Sequence, residues 1–232
     1  WRGDKRFLKV DIPVALQAKT AHYEGQYGTV ERPVVKNTAA DEAMFESCTH
    51  RFVYLAEQGY AVGIANASTY GSDAFPIHAD RDSGRQAGTM MRLSLLSAPH
   101  YPDPHTDLGR HGFAWNVVVG GDPSALLESA CTLNDPVMDS LPSIDPLVTL
   151  VSVTGTPVID WIKLADDGSG DLIVRIYEAF GGHAGATLEL CAALDGARVS
   201  ETDVLERPEH DGSLPQALRG TGSDDRRIEL GP

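Results

Sequence analysis

The sequence predicts an antiparallel all-β protein, and three observations carry that expectation. Apolar residues recur at every second position in short runs, glycine- and aspartate-rich turns punctuate the chain throughout, and only one short stretch reads as helix. A period of two matters because successive side chains of a strand point to opposite faces, so alternation marks a strand with one face buried and the other wet. The first such run is residues 7 to 14, where Leu8, Val10, Ile12 and Val14 share one face and Lys9, Asp11 and Pro13 the other. Pro13 cannot donate to a ladder, which predicts a sheet edge or a strand end there. Further strands are predicted at Tyr60 to Asn66, at Met90 to Leu96 with Met91, Leu93 and Leu95 inward, and at His111 to Val119. In the last of these His111, Phe113, Trp115, Val117 and Val119 share a face, and Trp115 is expected in the core. The polar stretch Ser72 to Thr89 reads as a long exposed hairpin loop. The helix is expected as one or two turns around Ser124 to Ala130, after the start signal Asp122-Pro123.

Three prolines, Pro136, Pro142 and Pro146, favour an extended crossing near residues 134 to 146. The expected division is a larger domain over residues 1–140 and a smaller one over 141–232. The second domain should hold strands at Val148 to Val153, Val158 to Leu164, Leu172 to Glu178, Ala186 to Ala192 and Ala197 to Leu205, with Trp161 in the core. Asp166 to Asp171, rich in Asp and Gly, reads as a hairpin turn. One last strand is expected at Arg226 to Leu230.

With 232 residues, 42% of them hydrophobic and 22% charged, the chain can bury a core and lies outside the composition of disordered segments. Nineteen basic against 33 acidic residues give a net charge of -14, which repels a phosphate backbone or an anionic membrane, so neither is an expected partner. No apolar run approaches the roughly 20 residues that cross a bilayer. Cys48, Cys131 and Cys191 are far apart and odd in number, which argues against a disulfide framework or a thiolate metal site and predicts buried thiols in a cytoplasmic protein. The start at Trp1-Arg2-Gly3-Asp4, with neither methionine nor leader, suggests a piece of something longer.

Several collinear stretches resemble the C-terminal region of bacterial α-mannosidases of glycoside hydrolase family 38. They begin with Trp1-Arg2, Leu8-Lys9-Val10 and Pro13-Val14, followed by Tyr23-Glu24, Gly28 and Val30-Glu31-Arg32-Pro33. Asn37-Thr38, Phe45-Glu46, His50-Arg51, Gly59-Tyr60-Ala61-Val62, Asn66 and Tyr70-Gly71 come next. Then follow Arg92 to Leu96, Pro99 to Pro104, Asp107, Gly109-Arg110-His111 and Phe113, and in the second domain Ile173 to Glu178 and Leu205 to Pro208. Ala67, Thr69, Ser97 and Gly112 depart from that pattern, so the turn from Asn66 to Gly71 keeps its shape but loses two charges.

The resemblance implies a fold: part of a large, galactose-mutarotase-like β-sandwich, followed by a smaller C-terminal sandwich. It also implies a retaining α-mannosidase as the parent. Retention uses two carboxyl groups flanking the glycosidic bond. In the resembled family these and a zinc ion belong to an N-terminal domain that this sequence does not contain, so no catalytic residue, cofactor-binding residue or metal ligand is assigned here. The expected partners are that catalytic domain and, through it, α-mannoside glycans; a homo-oligomer is also an option. The missing domain would leave an exposed apolar patch through which the isolated chain is expected to self-associate.

Four residues are candidates for the rim of the mannose cleft: Tyr70, Asp107, Arg110 and His111. Tyr70, beside a glycine on a turn, could stack on a sugar or pack at an interface. Asp107, Arg110 and His111 sit with His100, Asp103 and His105 in a proline-rich loop whose spacing matches no metal motif. The alternative there is a plain Asp107–Arg110 ion pair fixing the loop. Two other functions stay open: a stand-alone carbohydrate-binding module, which the 7% aromatic content disfavours, and a structural or oligomerisation domain.

Overall fold

The computed structural model describes residues 1–3, 5–82, 84, 86–135, 151–207, 218–219 and 227–230. The fold is almost entirely antiparallel β and falls into two compact units, Trp1–Asp139 and Ser140–Pro232. The junction expected at 134 to 146 lies outside the described residues from 136 onward. So do residues 148–150 of one expected strand and Arg226 of another.

In the first unit the order is β1 (Leu8–Val14), β2 (Thr20–Gly25), β3 (Gly28–Pro33), α1 (Ala39–Ala43), β4 (Ser47–Cys48) and β5 (Phe52–Glu57). It continues with β6 (Tyr60–Asn66), β7 (Gly71–Ile77), β8 (Gly88–Leu96), β9 (Trp115–Gly120) and α2 (Ser124–Asn134). One sheet runs β1-β8-β7-β4 and the other β3-β2-β5-β6-β9. Their facing sides interdigitate in one core, with Val14, Ala74, Met91 and Leu93 from the first sheet against Tyr23, Val53, Leu55, Val62 and Ile64 from the second. This is a β-sandwich, and β1 with its Pro13 is an edge strand.

Several expectations need correction. The stretch Ser72 to Thr89 is not one long loop, because Gly71–Ile77 forms β7 and pairs with β8 along its length. Its polar residues misled the pattern: Ser72 is fully buried but hydrogen-bonded to Thr49, and buried Asp73 is paired with Arg92 and Lys9. A buried polar group costs little once it is paired, so the strand tolerates them. The helix is longer than expected, running to Asn134, and a second short helix, α1, precedes β4. Asp122 does start α2, accepting from the Ser124 amide at 2.9 Å. Leu126, Leu127 and Ala130 of α2 are buried, and the helix lies on β5, β6 and β9. A side chain at Gly63 would come within 2.2 Å of Leu126, so the helix sits on the bare backbone there.

The strand expected from His111 begins only at Trp115. The His111 ring donates to the Asp107 carbonyl at 2.8 Å and stacks on Phe113, which turns residues 111–113 away from the ladder, while the Ala114 carbonyl still accepts from the Ala67 amide at 3.1 Å. Trp115 is 37% exposed rather than core. Among the cysteines, Cys48 is exposed and Cys131 and Cys191 are half-buried; all three are free, and the expectation of buried thiols fails for Cys48.

The second unit holds β10 (Val151–Thr154), β11 (Pro157–Leu164), β12 (Leu172–Glu178), β13 (Ala186–Leu190), a short 3-10 turn, β14 (Leu218–Arg219) and β15 (Arg227–Leu230). One sheet runs β10-β13-β15-β14, and β11 with β12 forms a hairpin through the predicted turn, where Gly168 and Gly170 adopt positive φ. Val151, Leu188 and Ile228 centre a small core. Trp161 is not in it; its half-buried ring is flanked by the Arg175 guanidinium at 4.7 Å and the Lys163 ammonium at 5.5 Å. The strand expected at Ala197 to Leu205 does not form. Asp203 takes the Leu205 and Arg207 amides onto its side chain, and such local bonding competes with a ladder. Val204 and Leu205 consequently stand exposed.

Candidate functional site: an aromatic-rimmed groove

The first unit carries a groove of about 470 Å³ bounded by β2, β3, the α1 segment and the turn before β7. Its rim is built by local sequence. Thr38 caps α1, accepting from the Asp41 amide at 3.1 Å, while Asp41 reaches back to the Thr38 amide at 3.0 Å, a reciprocal pair that fixes a helix of only five residues. The hydrogen bond from Thr38, then that from the Asn37 amide, hold the Asp41 carboxyl below the usual carboxylate range. The chain leaving this helix presents Met44 and Phe45, 57% and 58% exposed, with the Lys36 ammonium on the Met44 carbonyl at 3.1 Å.

The same groove is lined by Tyr70, 60% exposed, its ring stacked on His50 with centroids 6.3 Å apart. The turn that aims Tyr70 is anchored by Asn66, whose buried amide donates to the carbonyls of Thr69 and His50, and by the Thr49 amide, which donates to the Tyr70 carbonyl at 2.7 Å. The departures at Ala67 and Thr69 therefore leave the turn intact.

The floor is charged but fully committed. Asp73 accepts from Lys9 at 2.7 Å and from Arg92 at 2.7 and 2.8 Å. Burial alone would raise its pKa, but the hydrogen bonds from Arg92 and Lys9 together outweigh burial and hold the carboxyl below its ordinary value. Glu46 takes the Ser94 hydroxyl and lies 3.4 Å from Lys9. It lies against the bare backbone of Gly71 on β7, where a side-chain carbon would stand 2.6 Å from its carboxylate. Glu24, 3% exposed, takes the Arg51 amide at 2.6 Å and its guanidinium at 2.5 and 3.0 Å. The Tyr23 phenol is pushed up to about 12, chiefly by burial and then by the Asp73 charge. Every carboxylate named here already serves a partner, so the groove is equipped to hold a ligand against exposed rings rather than to move protons.

Of the four residues singled out in the sequence, only Tyr70 lines this groove. Asp107, Arg110 and His111 lie on the segment between β8 and β9. Asp107, at φ 60°, accepts from the Ser97 and Ala98 amides at 3.2 and 2.9 Å, and no ion pair joins it to Arg110. Arg110 and His111 are exposed. The same segment is clasped by Trp1, whose amino group and carbonyl bond the Gly109 carbonyl at 2.5 Å and amide at 3.0 Å. Among the described residues no group of three or more His, Cys, Asp or Glu is placed to hold a metal ion. Sequence reasoning missed Met44, Phe45 and Cys48 as groove residues. The Thr38–Asp41 spacing signals the cap that presents the first two, and nothing local signals the third.

The fold is an antiparallel β-sandwich that carries an aromatic-rimmed groove. Residues 1–105 match the profile of the glycosyl hydrolases family 38 C-terminal domain, and residues 156–232 that of the family 38 C-terminal beta sandwich domain. The chain belongs to this family, as its C-terminal region. It is 31% identical over 224 residues to Alpha-mannosidase 2C1 of Homo sapiens and 31% identical over 226 residues to Alpha-mannosidase of Saccharomyces cerevisiae. These matches cover 92% and 89% of this chain but 20% of each relative, so the chain spans about a fifth of their length. An α-mannosidase structure from Enterococcus faecalis V583 shares the fold, with a TM-score of 0.66 at 16% identity, over 97% of this chain and 25% of that one.

Proposed function

We propose that this chain is the non-catalytic C-terminal portion of a retaining α-mannosidase that removes terminal α-mannosides, and that it buttresses the catalytic domain and shapes the entrance to its substrate cleft. The observation that carries this reading is the match to α-mannosidases over about nine-tenths of the chain. The occupied state of every groove carboxylate named above supports a scaffold rather than a catalyst, because retaining hydrolysis needs one free nucleophile and one free proton donor. Zinc and the working acids belong, on this reading, to the catalytic domain. The chemistry of the groove floor, where each acid is already paired, does not fit a metal. The exposure of Tyr70 on the groove supports assigning it sugar contact; Asp107 holds its own loop, leaving Arg110 and His111 as exposed candidates for the rim. A cytoplasmic location rests on the three unpaired cysteines.

The test is turnover of an aryl α-mannoside. The chain alone should give none, with or without added zinc, and activity in the isolated chain would overturn the assignment. A second reading, carbohydrate binding by the chain itself, is favoured by Tyr70 and Phe45 facing one groove. Calorimetry with mannose oligomers decides it, with heat that vanishes in Tyr70→Ala as the supporting result.

A further inference from the structure

The charged groups of the groove divide by sign. Four carboxylates line it, Glu24, Asp41, Glu46 and Asp73, and each is committed to partners within the fold. Glu24 is closed by Arg51, Glu46 by Ser94 and Lys9, and Asp73 by Lys9 and Arg92. Asp41 has no cation bonded to it, but its Oδ2 takes the Asn37 and Thr38 amides at 3.1 and 3.0 Å. The cations that neutralise the other three, Lys9, Arg51 and Arg92, are not among the lining residues.

The donors that do line the groove are open. Arg32 makes no side-chain hydrogen bond or ion pair among the described residues, and its charge reaches the groove, where it acts on the Tyr23 phenol. Lys36 uses one of its three N–H groups, on the Met44 carbonyl. The His50 ring stacks on Tyr70, and neither its nitrogens nor the Tyr70 hydroxyl has a hydrogen-bond partner among the described residues. A ligand entering here therefore meets two cations with open donors, beside carboxylates that are already held. Next to those cations Phe45 and Tyr70 offer rings that are 58% and 60% exposed.

We propose that the groove is a subsite for a sugar bearing an anionic group, with Arg32 and Lys36 taking the anion and Tyr70 and Phe45 the sugar ring. This rests on the carbohydrate-binding reading given above and adds the charge of the ligand to it. Charge complementarity selects the occupant: a neutral sugar would leave the guanidinium fork of Arg32 unused, whereas a phosphate matches it with two parallel hydrogen bonds. The net charge of -14 does not oppose this choice, because salt screens distant charges beyond about 8 Å and leaves the local cations to act. The groove, about 470 Å³, lies in the size range of small-molecule sites.

The experiment is titration calorimetry on the 232-residue chain with mannose 6-phosphate, mannose, inorganic phosphate and adenosine monophosphate. Mannose 6-phosphate should bind with a Kd on the order of 0.1–1 mM, and about tenfold or more tighter than mannose or phosphate, because neither of those engages both the cations and the rings. Arg32→Gln and Tyr70→Ala should each weaken it about tenfold. Arg198→Gln, which removes an exposed cation of the second unit, should leave it unchanged, with circular dichroism verifying that every variant is folded. Mannose binding as tightly as its phosphate overturns the proposal but leaves the carbohydrate-binding reading in place; no binding by either sugar overturns both. Inorganic phosphate binding as tightly, adenosine monophosphate binding more tightly, or indifference to Arg32→Gln each overturns the proposal as well.

Discussion

The Glu24–Arg51 pair offers the sharpest test of how the groove is held together. Glu24 is 3% exposed and receives the Arg51 backbone amide and guanidinium, while a further guanidinium nitrogen lies 3.5 Å from the Cys131 sulfur on α2. The arginine therefore ties β2, the start of β5 and the helix at one point. Replacing it by methionine keeps the aliphatic stem but leaves a buried carboxylate with only a backbone donor among the bonds described above. Removing one partner of a buried pair typically costs about 3–5 kcal/mol, because the remaining charge is uncompensated. At roughly 4 °C per kcal/mol for a unit of this size, the first unit should melt about 12–20 °C lower. Glu24→Gln in the Arg51→Met background removes the stranded charge and should recover part of the loss, which a double-mutant cycle would show as strong coupling. The assay is urea and thermal denaturation, with near-ultraviolet signals assigning each transition to its unit, since two units need not unfold together. A loss below about 1 kcal/mol for Arg51→Met, the range of an exposed ion pair, would refute the claim that this pair is buried and structural.

Other consequences follow from the same packing. Gly88→Ala should destabilise the first unit by about 1–3 kcal/mol, because the new carbon would lie 2.3 Å from the Val14 carbonyl oxygen and backbone cannot step aside; an unchanged urea midpoint would contradict this. Asp73 titrates below its ordinary value when folded, so its contribution is present above the unfolded pKa near 3.8 and is lost as pH falls through the lower folded value. Unfolding free energies should accordingly drop below about pH 4, and Asp73→Asn should flatten that slope. Of the three thiols, exposed Cys48 should react first with a disulfide reagent. Cys131, whose pKa burial pushes up, should lag, and equal rates would count against the described environments.

Strand by strand, the sequence was legible where one face is buried and the other wet. β1 follows from its alternation and its Pro13 edge is real; β12 and the Asp-Gly turn before it were also legible, as was β6, although α2 buries its second face. It was illegible where tertiary contacts rewrote the rule. β5 reads Phe-Val-Tyr-Leu without alternation because all four are buried, with α2 lying on that sheet. β7 reads as loop because Ser72 and Asp73 find partners 23 and 64 residues away.

Composition, period and turn chemistry by themselves determined an antiparallel β protein, and ordered motifs pointed to the family. Those properties depend on each residue and its near neighbours, which a linear sequence displays. The groove, the committed state of its carboxylates and the exposure of Trp115 were decided only by the tertiary structure. Each depends on which distant strands become neighbours. A carboxylate is spent only when folding delivers its cation.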